Sequence, residues 1–403
     1  MRRAVERTGW RRVSIAEVGS VFDGPHATPK TVNEGPLFLG IGALVDGTIN
    51  LGETRHVTAS DFRQWTRRVK PQADDIVFSY ETRLGQAAII PEGLECCLGR
   101  RMGLVRLNKD HVVPQFFLYQ YISPPFREFL DGKTVRGATV DRISIRDFPS
   151  FPIALPPIPE QRRIVGILDE AFEGIATAKA NAEKNLPNAH ALFESHLQSV
   201  FTQTDSSHVE RKLDDVCKEI TVGHVGSMAK QYRNHGIPFL RSQNIRPFHV
   251  SLENVVFIDK SFHQSLAKSQ LRPGDVAVVR TGYPGTAAVI PDSLPISNCS
   301  DLVIVRPSPD ADPHYLALFF NSRMGKELVA GQIVGAAQKH FNVTAAKLVS
   351  ISFPPIPEQR RLVAKIKVFA AETDRLSSIY QQKLAALDEL KKSLLHQAFS
   401  GEL

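Results

Sequence analysis

The sequence predicts an α+β protein: two mixed α/β modules, each followed by a long helix, the two helices packing as an antiparallel coiled coil in a chain with a pseudo-twofold internal duplication. Three observations predict it. The octapeptide Pro-Pro-Ile-Pro-Glu-Gln-Arg-Arg stands at residues 156–163 and again at 354–361, an offset of 198. Behind each copy, apolar side chains recur every three or four positions over roughly 40 residues, the spacing of a long amphipathic helix. Ahead of each copy lie about 150 residues whose short β-branched runs are punctuated by Gly and Pro, as in small mixed modules.

The segments follow from these signals. The first module covers 1–155 and its helix 156–203; the second module covers 204–353 and its helix 354–403. Within the modules the repeat continues. Residues 75–91 (Asp75-Ile76 through Ile90-Pro91) parallel 275–291, with Gly85, Ala87 and Ala88 matching Gly285, Ala287 and Ala288. Gly35-Pro36-Leu37-Phe38-Leu39 resembles Gly236-Ile237-Pro238-Phe239-Leu240. Ile76-Val77-Phe78 and the run 276–279 read as strands, the latter entered through the turn signal Pro273-Gly274. Residues 115–122 and 315–320 read as aromatic-rich helices. A period this long means two copies of a domain rather than a solenoid.

The helices open at Pro159 and Pro357, where proline's missing N–H costs nothing, with Glu160 and Glu358 near the positive end of the dipole. The first apolar stripe is Ile164, Leu168, Ala171, Ile175, Ala178, Ala182, Leu186, Ala189, Phe193 and Val200. The second is Leu362, Ile366, Phe369, Thr373, Leu376, Tyr380, Leu384, Leu387, Leu390, Leu394 and Ala398. One such helix cannot bury its own stripe, so two copies pack on each other. Pro187, opposite Ala385, is expected to kink the first helix. Val165, Ile167, Phe172, Val363 and Ile379 lie beside the stripes, more apolar surface than one seam needs, and are candidate partner-binding residues.

Composition narrows the function. The chain has 49 Lys+Arg against 42 Asp+Glu, a net charge of +7 that favours a polyanionic partner. No apolar run approaches the ~18 residues of a membrane span, and the opening Met1-Arg2-Arg3 is not followed by the apolar core of a secretory signal. Cys96, Cys97, Cys217 and Cys299 lack metal-site spacing, so no metal ligands are expected and the thiols are expected to be reduced.

Two variable modules, each followed by a helix opening Pro-Pro-Ile-Pro-Glu-Gln, resemble the specificity subunit of a type I restriction–modification system. The ending Leu394-Leu395-His396-Gln397-Ala398-Phe399-Ser400-Gly401-Glu402-Leu403 is similar to that family's common C-terminus. The resemblance implies that each module is a target recognition domain reading one half of a split double-stranded DNA site. It implies that the helices set the spacer and dock two methyltransferase subunits, with restriction subunits joining that core. It also implies that S-adenosylmethionine, ATP and Mg belong to those partners. No catalytic residue and no cofactor are then expected in this chain, and a prokaryotic cytoplasmic location is.

The residues themselves fit a reader of DNA, which needs cations for phosphates and planar or amide side chains for base edges. The second module offers Arg241, Ser242, Gln243 and Asn244 after an apolar run. It adds Arg280, Thr281 and Tyr283 just beyond a strand, and Gln338, Lys339 and His340 in a Gly-bounded loop. The first offers Tyr80, Thr82 and Arg83 in the place of Arg280, and Arg136, Thr139 and Arg142 near the place of Gln338. Solvated loop residues would look the same one at a time, but loop chemistry that differs while framing residues match is what different half-sites require. Two alternatives remain: the specificity subunit of a bipartite system whose one partner both cuts and methylates, and a self-contained adenine methyltransferase. The latter draws on Phe38-Leu39-Gly40-Ile41-Gly42 and Ser123-Pro124-Pro125-Phe126. The repeat argues against it, because Phe239-Leu240-Arg241-Ser242-Gln243 has no glycine and Ser123 falls at a helix end.

Overall fold

The computed structural model describes residues 9–25, 28–137, 140–202, 207–228, 230–331 and 341–402. The chain divides into two compact units, Met1–Ala182 with Gln382–Leu403, and Glu183–Gln381. Each unit thus holds one module, part of the helix that follows it, and part of the other long helix.

In the first unit a four-stranded antiparallel sheet runs in the order Gly19–Asp23, Met102–Leu107, Ile76–Ser79, Ala87–Ile89. A smaller sheet places Val32–Leu39 between Arg55–His56 and Cys96–Leu98, parallel to the latter. The apolar run in Ile76–Ser79 is continuous because its sheet is covered on both faces. Ile76 and Phe78 point into one core with Val105 and Phe116, while Val77 points into another with Leu104 and Leu39. The helix Pro114–Ile122 supplies the aromatic side of the larger core. There Phe78 stacks on Phe148 at 4.2 Å, and Tyr121 lies 5.8 Å from Phe78.

The second unit repeats the plan with Cys217–Val222, Leu302–Pro307, Val276–Val279 and Ala287–Val289 in the main sheet. Its smaller sheet orders Val256–Ile258, Ile237–Leu240, Ser297–Cys299 and Gln270–Leu271. Val276 and Val278 face one core; Ala277 and Val279 face the other. The helix Pro313–Asn321 covers the position of Pro114–Ile122. Each module closes by pairing its first strand with its last: Arg11–Ser14 with Pro152–Leu155, and Val209–Lys212 with Ser350–Phe353. The Pro-Pro steps follow immediately.

The repeated Gln of the octapeptide has a structural reason. Gln161 is fully buried, its Oε1 accepting from the Val113 N–H at 2.8 Å and its Nε2 donating to the carbonyls of His111 and Pro156. Gln359 does the same with the Asp312 N–H at 2.8 Å and the carbonyls of Asp310 and Pro354. Each buried amide satisfies three backbone groups where a long helix leaves its module, among them the buried carbonyl of Pro156 or Pro354. The Arg of the motif is local: Arg163 and Arg361 form two-bond pairs with Glu160 and Glu358 one turn back.

The long helices are Ile158–Thr202 and Ile356–Ser400, 45 residues each. In the first unit Ile164 and Leu168, from the start of one helix, share a core with Leu395 and Ala398 from the end of the other, and Lys179 pairs with Asp388 at 2.7 Å. In the second unit Leu197, Val200 and Phe201 share a core with Val363 and Ile366, and the His196 ring lies 4.7 Å from that of Phe369. Start meets end in both units, the antiparallel pairing the stripes demand.

Several details differ from the sequence expectation. The first helix runs unbroken through Pro187. In the second helix Val363 and Leu395 are buried while Leu362 and Leu394 are only half-buried and Leu390 is exposed. At its two ends that helix also lies against a module core, so the deepest position turns one residue away from the heptad seam. Val363 is therefore a core residue and not a surface for a partner. Phe172 is also used internally: the Tyr119 ring meets it edge-on at 5.2 Å and Lys391 covers its face. Val165 packs on the first core, Ile167 is half-buried, and Ile379 is exposed. Cys96, Cys97, Cys217 and Cys299 are unpaired, and burial pushes the Cys96 and Cys97 thiols up to about 12. Among the described residues no helix is long and apolar enough to cross a membrane.

Candidate DNA interface

In the first unit the turn between Ile76–Ser79 and Ala87–Ile89 carries Tyr80, Thr82 and Arg83. Thr82 is exposed in a left-handed conformation, φ 66°, where the second unit has Gly282 at φ 83°. Its N–H donates to the Asp141 carbonyl at 3.0 Å, and Ile143 donates to the Tyr80 carbonyl at 2.8 Å. Val135 and Arg142 exchange two backbone bonds, and Arg142 bridges to Glu81. The sequence-predicted turns at 80–83 and 136–142 are thus laced together by backbone. Arg142 is exposed, and so is Arg136, which pairs with Asp131 at 3.4 Å. Thr139 lies outside the described residues.

Arg83 reaches a third turn, donating from Nη1 to the carbonyls of Ile41 and Gly42. Tyr80 corrects the sequence reading. It is buried, its hydroxyl donates to Asp23 at 2.9 Å, and burial beside that acid raises its pKa. Its ring belongs to the core because the position continues the inward alternation of Ile76 and Phe78.

The second unit uses the same frame with other chemistry. Arg241 donates to the Asn254 carbonyl at 2.9 Å, and its guanidinium lies over the Tyr232 ring. Asn244 is fully buried and corrects the sequence reading: its Nδ2 donates to the carbonyls of Ser251 and Glu253, and its Oδ1 accepts from the Arg241 N–H. Every polar atom of that amide is turned inward, so it holds the loop and leaves no edge for a base. Gln243 is exposed beside it.

Arg280 is only 15% exposed; its Nε donates to the Phe341 carbonyl and its Nη1 lies 3.9 Å from Asp301. The Asp301 carboxylate accepts from the Thr281 hydroxyl, and the Ser242 hydroxyl donates to the Asp301 carbonyl at 3.2 Å. Tyr283, between Gly282 and Gly285, is 83% exposed. Gln338, Lys339 and His340 lie outside the described residues.

Sequence reasoning missed the turn that completes each set. In the first unit it is Gly99-Arg100-Arg101, with Arg100 exposed and Arg101 Nε 2.7 Å from Glu81 Oε2. In the second it is Ser300-Asp301. Gly99 donates to the Leu39 carbonyl as Ser300 does to that of Leu240, an offset of 201; Gly24 donates to the Met102 carbonyl as Gly223 does to that of Leu302, where the offset of the acceptors is 200. Arg100 is therefore one extra residue. The change of offset and the Arg-Arg pair were the available signal.

The methyltransferase decoys do not form a site. Leu39 ends a strand and Ile41–Ala43 makes a single helical turn. Ser123 is buried between two helices, its hydroxyl on the Gln120 carbonyl, as Ser322 is on that of Phe319. Among the described residues, the turns of each unit gather cations, hydroxyls and an acid on a rigid sheet frame, with the Gln243 amide added in the second, chemistry suited to phosphates and base edges.

Known proteins agree with this frame. Residues 48–186 match the family model described as the type I restriction modification DNA specificity domain. The type I restriction enzyme EcoKI specificity subunit of Escherichia coli (strain K12) is 22% identical over 375 residues, covering 84% of this chain and 76% of that protein. A solved chain from work on the structural basis of complex assembly and conformational transition of the type I R-M system superposes with a TM-score of 0.73 at 21% identity, over 98% of this chain and 99% of that one. The crystal structure of the HsdS subunit from Thermoanaerobacter tengcongensis gives 0.66, also at 21% identity, over 98% and 97%. With the duplicated modules and the paired long helices, these matches make the chain similar, along most of its length, to the specificity subunits of type I restriction–modification systems.

Proposed function

We infer that this chain is the DNA-sequence-recognition subunit of a type I restriction–modification complex, each unit reading one half of a bipartite double-stranded site. The observation that carries the reading is one frame built twice with different loop chemistry, since two different half-sites need a common support and different contacts. The continuous 45-residue helices set the unread spacer and, with exposed apolar residues such as Val368 and Ile379, dock two methyltransferase subunits. Restriction subunits join that core. The chain itself transfers and cuts nothing; S-adenosylmethionine, ATP and Mg act in the partner subunits, and the complex works in a prokaryotic cytoplasm.

The test is reconstitution with a methyltransferase subunit and labelled S-adenosylmethionine. Transfer to DNA is expected only from the complex, with two methyltransferase subunits per chain at saturation. Four residues inserted after Glu183 lengthen a helix by about 6 Å, nearly two base pairs of B-DNA, and keep its stripe in phase. The same half-sites should then be methylated across a longer spacer. Transfer by the isolated chain, or an unchanged spacer in the folded, assembled insertion variant, would defeat the corresponding part of the reading.

A further inference from the structure

We propose that the turn at Gly99-Arg100-Arg101, and its counterpart at Asp301, decide opposite kinds of base edge: an acceptor edge, that of guanine, in the first unit and an amine-bearing edge, that of cytosine or adenine, in the second. This rests on the function inferred above and names what the site selects.

The first unit has a cleft of about 380 Å³ lined by Gly40, Gly42, Glu53, Arg55, Arg100 and Arg101 among others. It is open because two of its wall residues have no side chains. A Cβ added at Gly40 would meet nothing within 4 Å, and one at Gly42 would meet only Glu53 at 3.9 Å. In the second unit the equivalent positions carry side chains, Arg241 and Gln243. Three arginines around an open cleft form donor forks, and guanine presents two acceptors, N7 and O6, at the spacing of one such fork.

Arg101 is held at φ 72° and aimed by Glu81, an uncommon conformation for a non-glycine residue. Arg100 is the extra residue and stands exposed at the tip. The second unit inverts the charge. Asp301, also left-handed at φ 55°, carries a carboxylate 43% exposed and steadied by Thr281 and Arg280. A carboxylate accepts and does not donate, so it suits the exocyclic amine of cytosine or adenine and repels phosphate.

The acceptor oxygens that Arg100 meets have two sources, a guanine edge and a backbone phosphate, and the variants separate them. Lysine keeps the charge a phosphate needs but loses the planar fork. The chain, assembled with its methyltransferase subunit, is used to select from a library of random duplex DNA, and the enriched motif is read. The wild-type complex should enrich a bipartite motif with a fixed guanine in one half. Arg100→Ala and Arg100→Lys should both relax that position by about tenfold or more, with the other half unchanged. Asp301→Asn should relax one amine-bearing position in the other half only. Arg101→Gly, which suits the positive φ, checks the first result in a variant whose backbone is unstrained.

If Arg100→Lys keeps full selectivity, or if Arg100→Ala weakens all sequences equally with a shallower salt dependence, the turn touches phosphate and the proposal is overturned. Relaxation of both halves by either tip variant overturns it as well. If the wild-type complex enriches no bipartite motif, the function inferred above fails, and the proposal with it.

Discussion

The two units share their supports and differ at their tips. Arg106 reaches the buried Asp75 at 2.7 Å, and Arg306 reaches the buried Asp275 in the same place. Gln161 and Gln359 satisfy equivalent backbone groups. At the turns the correspondence ends: Arg241 and Gln243 stand at the positions equivalent to Gly40 and Gly42, Arg280 at that of Tyr80, and Asp301 at that of Arg101. The difference separates two kinds of constraint. A buried N–H or carboxylate must be paired wherever the frame occurs, so its partner is retained in both copies. A turn whose backbone bonds are satisfied by neighbouring turns can change its side chains without cost to the frame, which frees it to specify a ligand.

Substitutions at supports and at tips test that contrast. The largest effects should come from the shared cores. Leu168→Ala in the first unit and Ile366→Ala in the second remove fully buried seam residues, and each should cost about 2–5 kcal/mol. Chemical denaturation measures both, and a cost below 1 kcal/mol at either site would mean the seam is not the support in that unit.

Next come the paired amides. Gln161→Ala and Gln359→Ala each leave a part-buried N–H and two carbonyls, one of them buried, without this partner, an expected loss of about 1–3 kcal/mol apiece. Nearly equal losses are expected because the bonding is the same. A large inequality would show that the duplicated octapeptide supports the two units differently.

Smaller effects belong to the turns. Arg280→Ala releases the Phe341 carbonyl and the neighbour of Asp301, and should alter discrimination in one half-site by about 1–3 kcal/mol. Arg83→Ala releases the turn at Ile41 and should act on the other half-site alone. Methylation of site variants by the reconstituted complex reads both, and an even loss over both halves would place either arginine on phosphate instead.

The smallest is a pH effect in the second unit. Burial, with Lys367 nearby, holds His314 below its ordinary pKa, against the weaker opposing pull of Asp312. A depressed folded-state pKa contributes stability that is present above the unfolded value, about 6.5, and lost as pH falls through the folded value. Acidification from neutral pH should therefore destabilise this unit, and His314→Gln should reduce that sensitivity. An unchanged acid limb in thermal melts of the variant would remove His314 as a cause.

The sequence alone placed the duplication, the strands at 76–78 and 276–279, and Pro159 and Pro357 in the first turns of helices that begin one residue earlier, at Ile158 and Ile356. Those are local matters of repeat, period and capping, and each is written in consecutive residues. It also located the turns at 80–83, 136–142, 241–244 and 280–283, because Gly and Pro punctuate them. What it left undecided is which way a side chain points once chains cross. Tyr80 and Asn244 carry the right chemistry for DNA, yet one continues a strand's inward alternation and the other spends its amide on Ser251 and Glu253. Val363 and Leu395 displace Leu362 and Leu394 from the seam because each helix end also meets a module core. The turn of Arg100, Arg101 and Asp301 becomes part of the candidate site only when strands nearly 60 residues apart pair in parallel, as Leu39 does with Leu98. Burial and convergence are set by contacts distant in sequence, and only the tertiary structure supplies them.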